Sequence, residues 1–553
     1  MPVNAMKILF LTHAFNSLTQ RLYLELTESG HEVSIEFDIS DAVTTQAVAM
    51  YRPDLIVAPF LKRAIPEKIW AEHVCLIVHP GIPGDRGPSA LDWAILNDEQ
   101  EWGVTVLQAA AEMDAGAIWA SANFAMRDAS KGSLYRFEIT EAATKSLLEA
   151  VAKFASGCFV PEPLVQTQVR GKWRLAMRQA DRAINWLADG TETVLRKIRS
   201  ADGFPGVLDM GCYLYDAHRE PELRGAPGAV IARCNGMICR ATVDGAVWIG
   251  HLKQHEKPAF KLPATMVLGD CDAAEVEGGW RDIRYREKNG IGYLHFEFYN
   301  GAMSTEQCER LRQAYRDAKQ CDTKVIVLMG GADFWSNGIH LNLIEANDSP
   351  ADESWRNINA MNDLVHEILA TDSHLVIAAM QGNAGAGGVF LALAADRVVA
   401  RKSVVLNPHY QAMGNLYGSE YWTYLLPRRV GMERALEITG NRLPLMAEQA
   451  KAQGLIDDCF GSDAAEFLGG VEVLAASLVA AAPALLAMKR EQRCRDEQKK
   501  PLAVYRDEEL AQMKRNFYGF DPSYHVARYN FVYKVPHSRT PRHLALHRRI
   551  ARE

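Results

Sequence analysis

The sequence predicts a multidomain α/β protein: one α/β domain, a small barrel-like (OB-like) domain, and a second α/β domain with a helical C-terminal part. Three observations predict it. A chain of 553 residues exceeds what one hydrophobic core serves, and its length corresponds to roughly three to four domains. Two separate stretches alternate short apolar runs with helical patterns, the rhythm of a parallel sheet with crossover helices. Between them, short β segments are separated by Pro-Gly and Asp-Gly turns, as in a small barrel.

In the first domain, 1–160, the runs KILFL, HEVSIEF, DLIVAPF and VCLIVHP alternate with helical segments such as LTQRLYLELTESG. Gly30 stands just after that helix, where a C-terminal glycine is expected. From about 130 to 160 the chain reads as helical, and Gly157 to Pro163 as a link. The second domain, 170–262, opens with a helix over DRAINWLADGTETVLRKIRS and continues as PGVL, PGAVIARCNG, ICRATVDG and VWIGHL. An acidic Gly/Ala linker at 270–280 precedes the third domain, 284–490, with strands GIGYLHFEF, KVIVLMG and HLVIAAMQG, a glycine turn and the helix GVFLALAADRV. An Ala-rich helix is expected from Val473 to Ala482, with Pro483 opening the next. The extension 491–553 is helical, aromatic and basic, and its aromatics predict packing across the domains rather than a docking arm.

Composition narrows the functional classes. Hydrophobic residues at 48% and charged residues at 23% are the balance of a globular protein, and a formal charge of −7 gives no reason to expect a nucleic-acid partner. The apolar run Ile8–Leu11 is too short for a secretory signal, so cytoplasmic residence is expected. The longest uncharged stretch, Leu375 to Ala395, contains Gln381, Asn383 and four glycines; it reads as buried strand, loop and helix, not as a membrane span. Ten cysteines include no CxxC pair, and Cys234 and Cys239 lack partners at zinc spacing, which predicts reduced structural thiols and no metal site.

The first chemical constellation is VHPGIPGDRGPSALDWAILN followed by GVTVLQAAAEMDAGAIWA: His79 at a strand end, the Gly84–Pro88 loop with Arg86 and Gly87, then Asp114 and Gly116. Formyl transfer needs a base with a pKa near neutrality and a carboxylate to orient it, and a Gly/Pro loop offers backbone groups to a flat pterin ring. This pattern resembles the 10-formyltetrahydrofolate-dependent formyltransferases over residues 6–262. The resemblance implies a Rossmann-like first domain, His79 and Asp114 as catalytic residues, and folate contact at Arg86 and Gly87. One departure stands out: the family's asparagine two residues before the histidine is Ile77, which cannot donate a hydrogen bond. Candidate substitutes are Gln20 and Arg136. Ser200 is a further candidate facing the folate, although a hydroxyl ending a helix usually bonds locally.

The second constellation, ADFWSNGIHL and MQGNAGAGGVFLALAAD, resembles the two signature loops of the enoyl-CoA hydratase (crotonase) family. The resemblance implies a crotonase-like domain in which the backbone N–H groups of Ile339 and Gly387, beside Gly338 and Gly388, hold an acyl-CoA carbonyl. Losing one such donor costs an enzyme about 3 kcal/mol. The family's glutamates fall on Phe390 and, approximately, His409, so ordinary hydration is not expected. Replacement chemistry is sought in NPHYQAMGNLYGSEYW, at Tyr417, Glu420 and Tyr421, against the competing reading of an aromatic loop that merely packs. Arg442 is a candidate for phosphate or oxyanion contact.

The order of the two modules and the tail motifs YRDEEL, SYHVARYNFVYK and TPRHLALHRR resemble the HypX/HoxX hydrogenase maturation proteins over the whole chain. That resemblance implies formyl transfer from 10-formyltetrahydrofolate to coenzyme A, then release of carbon monoxide from formyl-CoA for the iron centre of a NiFe hydrogenase, through the HypC and HypD assembly proteins. Because formyl thioesters hydrolyse readily, an internal channel between the sites is expected. Two alternatives stay open. One is a formyltetrahydrofolate hydrolase or amine formyltransferase carrying an acyl-CoA-binding module. The other is a non-catalytic hydrogenase assembly scaffold.

Overall fold

The apolar runs of the first 125 residues become six strands of one sheet in the computed structural model, which describes residues 5–165, 169–256, 258–269 and 272–549. They are β1 (Lys7–Thr12), β2 (Glu32–Phe37), β3 (Leu55–Phe60), β4 (Cys75–His79), β5 (Glu101–Gln108) and β6 (Ile118–Ala125), in the order β2-β1-β3-β4-β5-β6. The first four run parallel and the last two antiparallel. The helix Asp41–Tyr51 covers Leu9, Leu11, Ile56 and Ala58 on one face, and Ser17–Glu28 and Thr140–Ser156 pack on the sheet as well. Helices on both faces explain why the parallel strands are near-continuous apolar runs.

The chain up to Trp280, together with the stretch from Pro536, forms one compact unit, and Arg281–Val535 forms another. The 491–553 extension is therefore divided between them. Its last part covers the exposed edge of β2, where Ile35 N–H donates to Leu544 O (3.0 Å) and Phe37 N–H to the Thr540 hydroxyl (2.7 Å). Glu36, fully buried, accepts from His547 Nε2 (2.7 Å), Arg548 Nε (2.6 Å) and the Thr540 hydroxyl. A sheet edge that would otherwise present unpaired donors is thereby closed.

The barrel-like domain of the first unit holds β7 (Val207–Asp209), β8 (Cys212–Glu220), β9 (Val230–Cys234), β10 (Met237–Ala241), β11 (Ala246–Gln254), β12 (Leu262–Pro263) and β13 (Ala274–Glu275). The order is β13-β9-β10-β11-β8-β7, with β12 also on β11. Val194, Leu195 and Ile198 plug its core. The helix expected over 181–200 is shorter: a 3₁₀ turn at Gln179–Arg182, a turn at Asn185–Asp189, and a helix only from Thr191 to Ala201. Asp189 takes the Asn185 N–H and the Lys197 ammonium instead of continuing the helix, and Gly190 stands as the N-cap of the Thr191–Ala201 helix.

In the second unit β14 (Ile283–Lys288), β15 (Ile291–Phe296) and β16 (Val325–Gly330) are followed by β17 (Phe334–Ser336), β18 (Leu375–Met380), β19 (Asn383–Gly385), β20 (Arg397–Arg401), β21 (Val405–Asn407), β22 (Leu445–Met446) and β23 (Asp458–Phe460). Two sheets result, β14-β15-β16-β18-β20-β23 and β17-β19-β21-β22. Residues 375–395 form strand, loop and helix, as read from their glycines.

The two helices expected around Pro483 are one helix, Ala464–Lys499. Proline in a helix interior costs about 3 kcal/mol. Here the buried stripe Phe467, Val471, Ala475, Leu478, Ala482 and Leu486 runs past the proline on Val325, Val327, Leu375 and Ile377, and that burial outweighs the lost backbone bond. Among the described residues this helix alone is long and apolar enough to cross a membrane.

Candidate active sites

The parallel strands β1, β3 and β4 end at a common edge, and His79 is the last residue of β4. Its imidazole is buried, with Nδ1 3.5 Å from Asp114 Oδ2. That same oxygen accepts the Gly87 N–H at 3.0 Å, so the loop 84–88 and the Asp-x-Gly turn are locked around the ring. Asp114 adopts a left-handed backbone, φ 52°, and a Cβ on Gly116 would overlap Gln108 O. Gly81 is equally constrained, since a Cβ there would overlap the imidazole itself.

Sequence reading missed a second carboxylate at this histidine. Asp85, buried in the loop, places Oδ1 3.7 Å from His79 Nε2, and its Oδ2 accepts from Arg174 Nε at 2.8 Å. Arg174 is buried beneath the loop, its guanidinium over the Trp102 ring. Asp85 belongs to the GDRGP motif, but nothing local distinguishes a buried Asp from a loop-surface one.

The other folate candidates are dispersed. Gln20 lies in the first helix and donates to Phe15 O at 3.0 Å. Arg136 lies in the π-turn Tyr135–Ile139, whose Tyr135 ring meets Phe60 at the end of β3. Both belong to the end of the sheet where His79 stands. Arg86 pairs with Glu112 at 3.2 Å. Ser200 is fully buried and donates to Lys197 O at 2.8 Å, the local bond its position favours.

In the second unit, β17 and β19 pair in parallel and bring the two glycine loops together. A Cβ on Gly338 (φ 78°) would lie 3.4 Å from Gly387 N. Gly338 O accepts from Met303 N–H, Ser336 Oγ accepts from Gly338 N–H, and Trp335 Nε1 donates to Gly388 O, so both loops are held from behind. Gly387 opens the helix Gly387–Leu393, where the first N–H groups have no intrahelical acceptor. Gly388 is packed on Ser336 O with no room for a side chain. Ile339, which follows Gly338, and Gly387 thus stand on neighbouring loops, and two backbone N–H groups aimed at one oxygen are the arrangement that stabilises negative charge on it.

Glu420 is the acidic group at this cradle. It is buried, and a Cβ on Gly387 would overlap its carboxyl. Burial pushes its pKa up to about 8, with the nearby Glu509 adding to the rise and bonds from Tyr410 and the Ser419 N–H opposing it. The Tyr410 hydroxyl donates to Oε2 at 2.5 Å, and Asn362 Oδ1 accepts the Glu420 N–H at 2.8 Å. The Tyr410 ring stacks on Phe390, so Phe390 supports the residue that holds Glu420.

Glu420 and Tyr421 both have left-handed backbones, φ 60° and 59°. Buried Glu509 holds them from the helix Leu502–Tyr518 by accepting the N–H groups of Tyr421 (2.9 Å) and Thr423 (2.8 Å). Tyr421 is buried with its pKa pushed up to about 12 by burial. Tyr417 is 39% exposed and rests against Trp422. Arg442 bonds Gln411 and Asn415 in the preceding loop, and Asp396 takes the Val376 N–H and Lys489, a structural use. Tyr410, Asn362 and Glu509 went unread because each is an ordinary residue in its own segment.

Three family patterns match the chain: formyl transferase at 37–151, formyl transferase C-terminal domain at 176–266, and enoyl-CoA hydratase/isomerase at 286–524. A relative, hydrogenase maturation factor HoxX of Bradyrhizobium diazoefficiens, is 55% identical over 98% of this chain and 97% of its own length. The crystal structure of HypX from Aquifex aeolicus in complex with tetrahydrofolic acid superposes with a TM-score of 0.96, at 48% identity over 99% of this chain and 100% of that one. Methionyl-tRNA formyltransferase of Roseiflexus castenholzii is 33% identical over 35% of this chain and 58% of its own length.

Proposed function

Since this chain belongs to the HoxX/HypX family of hydrogenase maturation factors, we propose that it makes carbon monoxide for NiFe-hydrogenase maturation, first as a formyltransferase and then as a formyl-CoA decarbonylase, a lyase. Its substrates are 10-formyltetrahydrofolate and coenzyme A. The observation that carries the reading is the buried Glu420 carboxyl seated on Gly387, in a hydratase-like site whose usual glutamate position is Phe390.

In the first step His79, oriented by Asp114, accepts the proton of the CoA thiol while sulfur attacks the formyl carbon, and returns it to the departing folate nitrogen. A buried imidazole behind a glycine loop fits a flat formyl donor and a proton-bearing acceptor. In the second step Ile339 and Gly387 N–H groups hold the thioester oxygen and Glu420 takes the single formyl hydrogen. The C–S bond breaks, carbon monoxide leaves, and Glu420 returns the proton to the thiolate. A carboxyl with a pKa of about 8 is matched to both halves of that exchange near neutral pH. Tyr410 and Asn362 fix its position.

We place the reaction in the cytoplasm, with the HypC and HypD assembly proteins receiving the product and no nucleic-acid or membrane partner. The test is to mix purified protein with 10-formyltetrahydrofolate and CoA and watch a haem-protein reporter. The expected carbon monoxide spectrum needs both substrates and disappears in His79→Ala. In Glu420→Gln, folate turnover persists, formyl-CoA accumulates and carbon monoxide is lost. Folate turnover without carbon monoxide in the wild type would instead establish a hydrolase or amine transferase with an acyl-CoA-binding module, and full biological function of His79→Ala would establish a scaffold.

A further inference from the structure

Asp85 has no part in either proposed step, yet it is buried against the working edge of His79. Its Oδ2 is taken by Arg174 Nε, and the backbone around Arg174 is pinned to the same loop: Arg86 N–H donates to Lys172 O and Arg174 N–H to Arg86 O. An ion pair of this kind anchors a linker well enough from the surface. Here the second oxygen is buried too, and among the described residues neither Asp85 Oδ1 nor His79 Nε2 has a hydrogen-bond partner. They face each other at 3.7 Å, and the imidazole approaches the bare α-carbon of Gly81 so closely that a Cβ there would overlap Nε2. Burying an unpaired carboxylate oxygen is costly, so its place at the atom that must exchange a proton calls for a reason beyond anchoring.

We propose that Asp85 is a positioning residue that makes this site selective for a thiol nucleophile over an amine. This inference rests on the formyl-transfer reading of the first site. A thiol, with an ordinary pKa of roughly 8.5, arrives neutral and carries one hydrogen, which Nε2 and Oδ1 can share. An alkyl amine, with a pKa of roughly 10.4 as in lysine, arrives as an ammonium, and a buried carboxylate stabilises that unreactive form and withholds the lone pair. In the step itself the S–H proton passes to Nε2, the S–C bond forms, the C–N bond of the folate breaks, and Nε2 returns the proton to that nitrogen. Asp85 Oδ1 accepts the Nε2–H bond while the proton is held, as Asp114 serves Nδ1. The imidazolium thus stands between two carboxylates.

The experiment uses the full-length protein with 10-formyltetrahydrofolate and CoA, N-acetylcysteamine or ethanolamine, following tetrahydrofolate release optically. In Asp85→Asn, kcat with either thiol is expected to fall about 10²-fold, KM for the folate to stay within about twofold, and the thiol-over-amine preference to narrow about tenfold. Arg174→Met, which breaks the anchor and keeps the carboxylate, is expected to retain the preference. If Asp85→Asn fails to fold, Asp85→Asn with Arg174→Gln supplies a neutral buried pair for the same measurement. Unchanged kcat and preference without the carboxylate, or the same losses in Arg174→Met, would overturn the assignment while leaving thiol formylation standing. A wild type that releases tetrahydrofolate equally with and without thiol would overturn the formyl-transfer reading and this inference with it.

Discussion

The carboxyl of Glu420 lies directly on the α-carbon of Gly387, so closely that a methyl group on that carbon would overlap Oε1. A buried acidic group and a glycine that opens a helix are thus set side by side, from segments more than thirty residues apart in a chain of 553. The contact makes the two residues one unit for mutagenesis.

Gly387→Ala is expected to fold, because the added methyl meets the end of a side chain rather than backbone. Glu420 must move to admit it, and a displacement near 1 Å at a reacting group costs on the order of 10²-fold in rate. Carbon monoxide release from formyl-CoA should fall by about that factor with little change in Tm.

Gly388→Ala is expected to behave oppositely. Its methyl would overlap Ser336 O, a backbone atom of the facing strand. Overpacking of this kind costs about 1–3 kcal/mol, and thermal unfolding of the variant should show it before any assay does.

Glu420→Gln should raise stability at alkaline pH while abolishing carbon monoxide release. The pKa of Glu420 is about 8 in the folded chain against an ordinary 4.5, so the folded state holds the extra proton. The stability this contributes is complete below about pH 4.5 and is lost as pH rises through 8. Glutamine removes that dependence. The advantage of the variant over wild type in urea unfolding should be roughly 4 kcal/mol larger at pH 8.5 than at pH 5.

Glu36→Gln should destabilise the first unit with the reverse pH dependence. Burial alone would raise the Glu36 pKa, but bonds from His547, Thr540 and Arg548 outweigh it and hold the carboxyl below its ordinary value. Stability from this group is therefore present above the unfolded pKa and lost as pH falls through the folded one. Breaking one partner of a buried ion pair costs roughly 3–5 kcal/mol, and removal of residues 536–553 should cost at least as much by chemical denaturation at pH 7.

The sequence by itself determined what is local. Strand runs, glycine turns, the His79 loop with Asp114, and the paired loops at Gly338 and Gly387 all show within about fifty residues of chain, because pattern and turn chemistry act over short spans. It also marked the loop 407–422 as the place to look for acidic and phenolic groups beside the glycine loops. Only the tertiary structure separated buried Glu420 from half-exposed Tyr417 in that loop, put Asp85 at the second nitrogen of His79, and carried one helix through Pro483. It alone joined Glu36 to His547, 511 positions away. Each of these depends on what covers a residue, and a polar side chain reads the same in a sequence whether water or protein surrounds it. Burial decides its proton affinity and its partners, and burial is a property of the packed chain.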